Sequence, residues 1–516
     1  MASEPHSPEK VCSAHAARGT AFAALLAALV ILTLLGHNRL TDWDEGIYAE
    51  VSREMLQSGW LVPHWNSFVW IDKPPLTYWI TALFFKLFGV SEFTARLGSA
   101  LSAIAIVTLL HAWLLRTRDA VTAWLSTTIL LSTFGFLHVA RVGETDTLLS
   151  LGCLLALIGL ENLLLPGEAP SSRGWYLYWI GFAVALMSKS AASGTLFFTL
   201  LALLVLEPTL RLRLRTQFRF GFLPGFLLFL ALTLPWHLFM LHRFGRVFVT
   251  QYVGLHVLGR VAYPFDGHLT HWWYYFGVLL FSAPPWVLLY PIALYTALRK
   301  PGLRSMRVFA VFALVEILCF SCVQTRLPHY VAPAYAPLSA LVAIWLADRL
   351  AAFQLDRCGV RAQLATAAAV LWIVTALLTA HGRSQLHSPR LPNGDVTPNN
   401  REEVALLQRV FRDPTPLVAS TPGPLLDWRT GNYNPIPTVI FYANRPVQQV
   451  QLHALPPGTP TDIYVFNPIA LAQGVTTQPR LLLIDRSLLQ QIPADYSFEA
   501  IAISSTLELG RIARLP

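Results

Sequence analysis

Charge is scarce in this chain: only 13% of its 516 residues are Asp, Glu, Lys or Arg, while 54% are apolar. A water-soluble protein of that size would be coated in hydrocarbon, so the composition calls for lipid as solvent. Cysteine is scarce too. Cys12, Cys153, Cys319, Cys322 and Cys358 all precede residue 382, which excludes a disulfide framework in the last part of the chain. Cys319 and Cys322 spell C-x-x-C inside the apolar run Val311 to Val323. A redox or metal role there needs polar company that the neighbours do not supply, and packing is the expected role. No internal repeat of useful length is found, and the first apolar run, Thr20 to Leu35, lacks a small-residue cleavage site. It is expected to remain as a signal anchor. The net charge of +9 is carried by short loops between apolar runs rather than by one basic face, which argues against nucleic acid as a partner.

What is present is a succession of apolar runs from Thr20 to His381, followed by a tail of mixed character. Eleven membrane spans are expected, near residues 20–36, 93–115, 121–137, 147–165, 175–188, 191–207, 219–241, 272–298, 306–324, 329–348 and 362–380. With a cytoplasmic amino terminus, the inner loops collect Arg116 and Arg118, then Arg211, Arg213, Arg215 and Arg219, then Arg299, Lys300, Arg304 and Arg307, then Arg349, Arg357 and Arg361. That is a positive-inside pattern. An odd span count leaves everything after His381 on the outer face. The segment Pro75 to Gly89 is apolar but, at ~1.5 Å per residue, too short to cross ~30 Å of hydrocarbon. It is expected to lie on or dip into the outer surface.

The tail, residues 382–516, mixes a helical signal at Arg401 to Arg412 with strand-like runs at Asp462 to Phe466, Arg480 to Ile484 and Ala500 to Ser504. The expected fold class is therefore an α-helical polytopic membrane protein, residues 1–381, carrying a C-terminal soluble α/β domain, with an outer-face loop over residues 38–92. Ser388 to Asn400, rich in Pro and Asn, reads as the linker.

The loop after the first span places Asp42, Asp44, Glu45 and Glu50 within nine residues. One explanation is local: Asp44 caps the helix beginning near Gly46 and Glu45 favours its positive end. Asp42-Trp43-Asp44 also spells D-x-D, which in many soluble glycosyltransferases holds a metal against a nucleotide diphosphate. Nucleotide sugars are normally absent from the outer side, whereas a lipid-linked donor is not. Trp60, Trp65, Trp70, Tyr78 and Trp79 surround the same loop, as an interfacial belt or a sugar-stacking surface.

The stretch DEGIYAEVSREML, followed about two dozen residues later by DKPPLTYW, resembles the first outer loop of the lipid A aminoarabinose transferases. These stand with the protein O-mannosyltransferases among the polytopic GT-C glycosyltransferases. The resemblance continues in family order through ARVGETDTLL, MSKSAASG, APPW and RLPHYVAPAYAPLSAL, covering most of the membrane part, whereas the tail matches only in kind. It implies a glycosyltransferase of a bacterial inner membrane that moves a monosaccharide from a polyprenyl phosphate, such as undecaprenyl phosphate, to a cell-envelope acceptor: a lipid A-type glycolipid, a glycan or a protein. It implies an acid acting on the acceptor, carried over to Asp44 with Glu45 beside it. Lys73, Arg260, Arg326 and Tyr330 fall near the donor phosphate, and Tyr48, Asp72, Asp146, Lys189 and His256 on the cavity or substrate side. Two departures are visible. Ile47 stands where those transferases usually have Arg, and Leu255 where Glu precedes the loop histidine. A sugar other than aminoarabinose is compatible with both.

Chemistry gives these residue types their meaning. Breaking the bond from the anomeric carbon to a phosphate oxygen accumulates negative charge on the phosphate, which fixed cations or a metal must receive. The acceptor hydroxyl needs a base, and an Asp of ordinary pKa, near ~4, is ionised and able to accept its proton. In-line displacement would invert the anomeric centre. No cofactor is required, and a divalent cation remains open. Arg141 beside Glu144 and Asp146 reads either as a structural ion pair or as part of the cavity, and Glu316, alone within a span, has no assigned role. A lipid-linked sugar transporter or flippase is the competing reading from another class. It predicts charges at mid-membrane in corresponding halves, whereas here they gather in outer-face loops. A lipid-linked oligosaccharide ligase or polymerase is the competing enzyme.

Overall fold

The computed structural model describes residues 8–41, 43–165, 171–262, 271–299, 306–352, 401–412, 414–429, 437–452 and 469–516. They form two compact units, one of residues 1–38 and 71–383 and the other of residues 39–70 and 384–516. The first outer loop is thus divided, with residues 39–70 folding with the tail rather than with the spans.

The first unit is helical. Among the described residues five runs are long and apolar enough to cross a membrane: Glu92–Thr117, Asp146–Leu164, Arg173–Leu206, Pro208–Phe244 and Pro328–Ala351. A sixth is added if Ala120–Leu131 and Phe134–Ala140, bent by 71° at their junction, count as one. Ala16–Leu32, Leu76–Phe88 and Trp286–Arg299 are shorter apolar helices. The unit is that of a multi-pass membrane protein. Leu76–Phe88, at 13 residues, has the sub-membrane length expected of it. The expected span at 362–380, the linker and the strand at 462–466 lie outside the described residues.

Arg173–Leu206 is not one rod. The Tyr178 hydroxyl donates to the Leu196 carbonyl at 3.2 Å, yet eighteen helical residues would separate these positions by about 27 Å. The chain folds back where Lys189 has φ −151° and Ser190 φ 0°, ψ −99°. Arg173–Lys189 and Gly194–Leu206 are therefore separate legs, matching the expected division near residue 190.

Small residues fix the register of the first leg against Asp146–Leu164. A Cβ on Gly159 would sit 2.6 Å from the Gly174 carbonyl oxygen, and one on Gly181 2.5 Å from that of Gly152. The two backbones touch, which only glycine permits. In this antiparallel register, six residues back from Gly152 reach Asp146 while six residues on from Gly181 reach Met187, within range of Lys189. The other end of the same helix pair is basic and polar: Arg116 and Trp113 donate to Asn162, each at 3.0 Å, and Arg307 meets Glu207 at 2.7 Å. Asp146 and Asn162 mark opposite ends of a helix about 28 Å long. The first helix, Pro8–Leu32, is tied at its C-terminal end by two arginines. Arg141 donates to the Val30 and Ile31 carbonyls at 2.9 and 2.8 Å, and Arg96 to those of Leu35 and Asn38 at 2.9 and 2.7 Å. Both arginines satisfy carbonyls at the end of that helix that lack an intrahelical donor.

The second unit is α/β. Strands β1 (His64–Trp65) and β2 (Phe68–Val69) form a short antiparallel pair. Strands β3 (Leu425–Trp428), β4 (Val447–Gln451), β5 (Ile469–Ala470), β6 (Arg480–Asp485), β7 (Tyr496–Ile503) and β8 (Leu507–Arg514) form a sheet in the order β5-β4-β3-β6-β8-β7. The β5-β4-β3-β6 part is parallel, and β8 joins it to β7 antiparallel. Leu426, Trp428, Val450, Leu482, Ile484 and Ile512 build its core. The outer-loop segment is integral to this unit. The Asn66 side chain both donates to the Val447 carbonyl (2.9 Å) and accepts from the Val447 amide (2.8 Å), and Arg53 donates to the Phe441 carbonyl at 3.2 Å. Trp65 and Trp70 are buried with their rings 5.4 Å apart, so they are core residues rather than a belt.

Candidate functional site

Asp146 is the first residue of Asp146–Leu164, and Lys189 the last of Arg173–Lys189. A helix N-terminus favours the carboxylate and a C-terminus the ammonium, and the glycine register brings the two together. Lys189 Nζ lies 2.7 and 2.9 Å from the Asp146 oxygens and 4.6 Å from the centre of the Tyr330 ring. Both charges are buried, an arrangement that lipid-embedded proteins keep only when the charges are paired or used. Tyr330 sits on the 3₁₀ turn Pro328–Ala334, where its ring meets Phe320 at 5.1 Å.

A second group adjoins the same hairpin. Asp72 and Lys73 are buried directly before Pro74 and Pro75, which hold the preceding backbone extended and open Leu76–Phe88. Asp72 Oδ1 lies 2.6 Å from His256 Nδ1, an ion pair when the imidazole is protonated, and Lys73 Nζ lies 3.5 Å from the other carboxylate oxygen. His256 is presented by the π-helical stretch Val249–Gly259. On that stretch Tyr252 meets His237 at 3.0 Å, lies against Ser190 and is within electrostatic reach of Asp72. Burial pushes the Tyr252 phenol up from its ordinary range.

Glu144, Asp146 and His329 offer ligand atoms within 4.8 Å of one another, a donor set suited to a divalent cation. Both Asp146 oxygens are engaged by Lys189, however, so an ion there would have to draw Asp146 away from the ammonium.

Of the residues singled out from sequence, Lys73, Asp72, His256, Asp146, Lys189 and Tyr330 are gathered in the first unit. The Arg260 side chain lies outside the described residues. Arg326 donates to the Ser321 carbonyl through Nη2 (2.8 Å) and Nε (3.3 Å), which caps Arg307–Cys322. Asp44, Glu45 and Tyr48 belong to the second unit, on the helix Asp44–Ser58. Asp44 is half-buried and does not occupy the cap position, which falls on Trp43 without a side-chain capping bond. Glu45 does the local work. Its Oε2 accepts from the Thr41 amide (2.6 Å) and hydroxyl (3.0 Å). Sequence reasoning missed the Tyr252–His237 contact, for which the polar positions in an apolar stretch were the available signal.

The residues compare with known proteins as follows. A family profile described as dolichyl-phosphate-mannose-protein mannosyltransferase matches residues 72–239. An undecaprenyl phosphate-alpha-4-amino-4-deoxy-L-arabinose arabinosyl transferase from Serratia proteamaculans is 29% identical over 334 residues, 64% of this chain and 60% of the relative. Its counterpart from Yersinia pestis is 30% identical over 336 residues, 64% and 59% of the two chains. The match thus spans about three fifths of these relatives. In three dimensions, the crystal structure of ArnT from Cupriavidus metallidurans bound to undecaprenyl phosphate superposes with a TM-score of 0.71 at 20% identity, covering 95% of this chain and 97% of that one. The oligosaccharyltransferase AglB from Archaeoglobus fulgidus gives 0.53 at 12% identity, covering 92% and 69%. A polytopic helical unit together with a smaller α/β unit is thus a fold this chain shares with ArnT. In sequence the chain is similar to these arabinosyl transferases over about three fifths of their length, and over residues 72–239 to the mannosyltransferase profile.

Proposed function

We propose that the chain is a membrane glycosyltransferase that transfers a monosaccharide from a polyprenyl phosphate to a cell-envelope acceptor, with inversion. The observation that carries this reading is the buried set Asp146, Lys189, Tyr330, Asp72, Lys73 and His256, in a chain related to arabinosyl transferases that use undecaprenyl phosphate. Cleavage breaks the bond from anomeric carbon to phosphate oxygen, and the carrier phosphate leaves with the electron pair. Lys73 and Lys189, with Arg260, supply fixed positive charge for it. The acceptor oxygen bonds to the anomeric carbon as its proton passes to the Asp44 carboxylate, while Glu45 holds the turn before it.

In this reading the eleven spans set a cytoplasmic amino terminus, an outward-facing site and an outer-face tail, in a bacterial inner membrane. A reporter active only outside the cytoplasm is expected to work after residue 400 and to fail near Arg213. The direct test is purified protein with a polyprenyl-phosphate sugar and an envelope extract, followed by mass spectrometry of glycolipids and glycoproteins. A new sugar–acceptor linkage and free polyprenyl phosphate are expected. Movement of intact donor across the bilayer without cleavage would replace the enzyme by a flippase.

A further inference from the structure

The helix Pro208–Gln217 and the π-helical stretch Phe218–Phe222 join Gly194–Leu206 to Leu223–Phe244. The run Pro208–Phe244 has 37 residues, whereas about 20 suffice to cross the hydrocarbon, and Arg211, Arg213, Arg215 and Arg219 all fall in its first dozen. This charged stretch is therefore the part that overhangs into the headgroup level. It lies at the end of the unit away from the Asp146–Lys189 pair. Ser172, against which it packs, precedes the helix that ends at Lys189, and the 17 residues of that helix span about 25 Å. Gly221 permits the approach, since a Cβ there would sit 2.8 Å from the Ser172 Cβ and 2.9 Å from the Trp175 Cδ1. Arg211 is used locally, donating to the Leu204 and Val205 carbonyls at 3.1 and 3.0 Å. Glu207, the nearest acid in the chain, is taken by Arg307, and among the described residues none of Arg213, Arg215 and Arg219 has an ion pair.

Two adjoining grooves, of about 510 and 530 Å³, open along this stretch and share Thr216 and Phe220. Arg215 and Arg219 line the first, and Ser172, Arg213 and Gln217 the second. A spacing of four puts Arg213 and Gln217 on one helix face. Gln217 is 7% exposed, and neither atom of its amide has a hydrogen-bond partner among the described residues, an arrangement that costs stability until a partner arrives. Leu212, Phe218 and Phe220 stand beside the arginines, 60%, 44% and 78% exposed. Unpaired cations over a groove call for an anion. Exposed apolar side chains at the same place call for acyl chains, which inorganic phosphate, a nucleic acid or an acidic peptide does not bring. We propose that these grooves bind an anionic phospholipid of the leaflet opposite the candidate site. Arg213 holds the phosphodiester through its fork of N–H donors, with Gln217 a further donor at the floor and Arg215 and Arg219 adding positive potential, while Leu212 and Phe220 lie against the acyl chains. The site is separate from the transfer chemistry and does not rest on it.

Dioctanoyl phosphatidylglycerol titrated into the full-length protein in neutral detergent, followed by thermal unfolding, provides the measurement, because a ligand of the folded state raises its melting temperature. A saturable rise is expected with phosphatidylglycerol and none with dioctanoyl phosphatidylcholine. Arg213→Gln should move the midpoint of the titration about 10- to 100-fold higher, the worth of one charge-assisted hydrogen bond. Arg299→Gln removes an exposed arginine set over the Tyr295 ring, outside both grooves, and should leave the midpoint in place. Gln217→Leu should weaken lipid binding while the lipid-free protein stays as stable or becomes more so, since an unpaired buried amide is gone. A purely structural glutamine would not give that combination. Equal losses in Arg213→Gln and Arg299→Gln would reduce the effect to general charge attraction and overturn the site. An equal response to phosphatidylcholine would overturn it too, as would displacement of phosphatidylglycerol by inorganic phosphate at constant ionic strength, which would make the grooves a site for soluble anions. Should Gln217→Leu not fold, the comparison of Arg213→Gln with Arg299→Gln decides.

Discussion

Lys189 Nζ reaches both carboxylate oxygens of Asp146, at 2.7 and 2.9 Å, across the shared end of an antiparallel helix pair. The pair is created by backbone contact far from the charges, since the glycine register decides which helix end meets which. Packing thus sets the electrostatics of the candidate site.

Breaking a buried pair by removing one partner leaves an uncompensated charge and costs about 3–5 kcal/mol, while replacing both is often close to neutral. Asp146→Asn and Lys189→Met are each expected to lower the melting temperature of the purified protein sharply. The double variant should recover stability without recovering transfer. Thermal unfolding and donor turnover, measured on the same three preparations, check the dissociation. A double variant as unstable as the single ones would mean that the charges are not each other's main partner.

Gly159→Leu tests the register itself. Its Cβ would meet the Gly174 carbonyl and the Tyr178 amide at 2.6 and 2.7 Å, so the helices must separate, and overpacking of this kind costs at least ~1–3 kcal/mol. Gly277→Ala is the control, with nothing within 4 Å of the added Cβ. Loss of thermal stability and of donor binding is expected for Gly159→Leu and neither for Gly277→Ala.

How much of this was legible beforehand follows from the range of each interaction. Helix positions were readable because apolar runs are local, and the break near residue 190 was marked by its small polar residues. Lys73, Asp146 and Lys189 were reachable as polar residues at the ends of apolar runs. Their partners were not, because Asp146 and Lys189 are 43 residues apart and only the glycine contacts between helices align them. The assignment of residues 39–70 to the tail's unit was hidden for the same reason, as Asn66 and Val447 are separated by 381 residues.

Lys73→Ala should weaken donor use while the protein stays folded. A charge-assisted contact to phosphate is worth about 1.5–3 kcal/mol, so kcat/KM for the polyprenyl-phosphate sugar is expected to fall about 10- to 100-fold. Steady-state kinetics at varied donor and saturating acceptor make the comparison. Ordinary kcat/KM would remove Lys73 from the phosphate site.

Glu50 gives the second unit a pH dependence. Burial outweighs the neighbouring Arg53, 2.6 Å away, and pushes the Glu50 carboxyl up to about 8 from 4.5. A folded-state value above the unfolded one means that the folded state binds the proton more strongly. The stabilisation is therefore complete below about pH 4.5 and lost as pH rises through about 8. Melting temperature should decline across that window in the wild type and follow a flatter course in Glu50→Gln. At about 2–4 °C per kcal/mol the difference is within reach of calorimetry, and parallel curves would show that Glu50 is ionised in the fold.

The sharpest division of labour is between adjacent acids. Glu45 is buried and accepts two hydrogen bonds from Thr41, whereas Asp44 is half-buried at the start of Asp44–Ser58, one residue past the N-cap Trp43. Asp44→Asn keeps the shape of the side chain and removes its ability to accept a proton as a carboxylate. General base catalysis contributes about 10²–10⁴ in rate, so transfer should fall by that factor with the melting temperature nearly unchanged. Glu45→Gln keeps an acceptor oxygen but loses the charge that strengthens its bonds to Thr41. It is expected to lower stability by about 1–2 kcal/mol and transfer only modestly. Asp42 lies outside the described residues, and Asp42→Asn is expected to be milder than Asp44→Asn. Turnover with purified protein and a polyprenyl-phosphate sugar, set beside the unfolding curve of each variant, reads rate and stability separately. Should Asp44→Asn turn over normally while Glu45→Gln is inactive and fully stable, the base is Glu45, and its contacts with Thr41 serve to aim it.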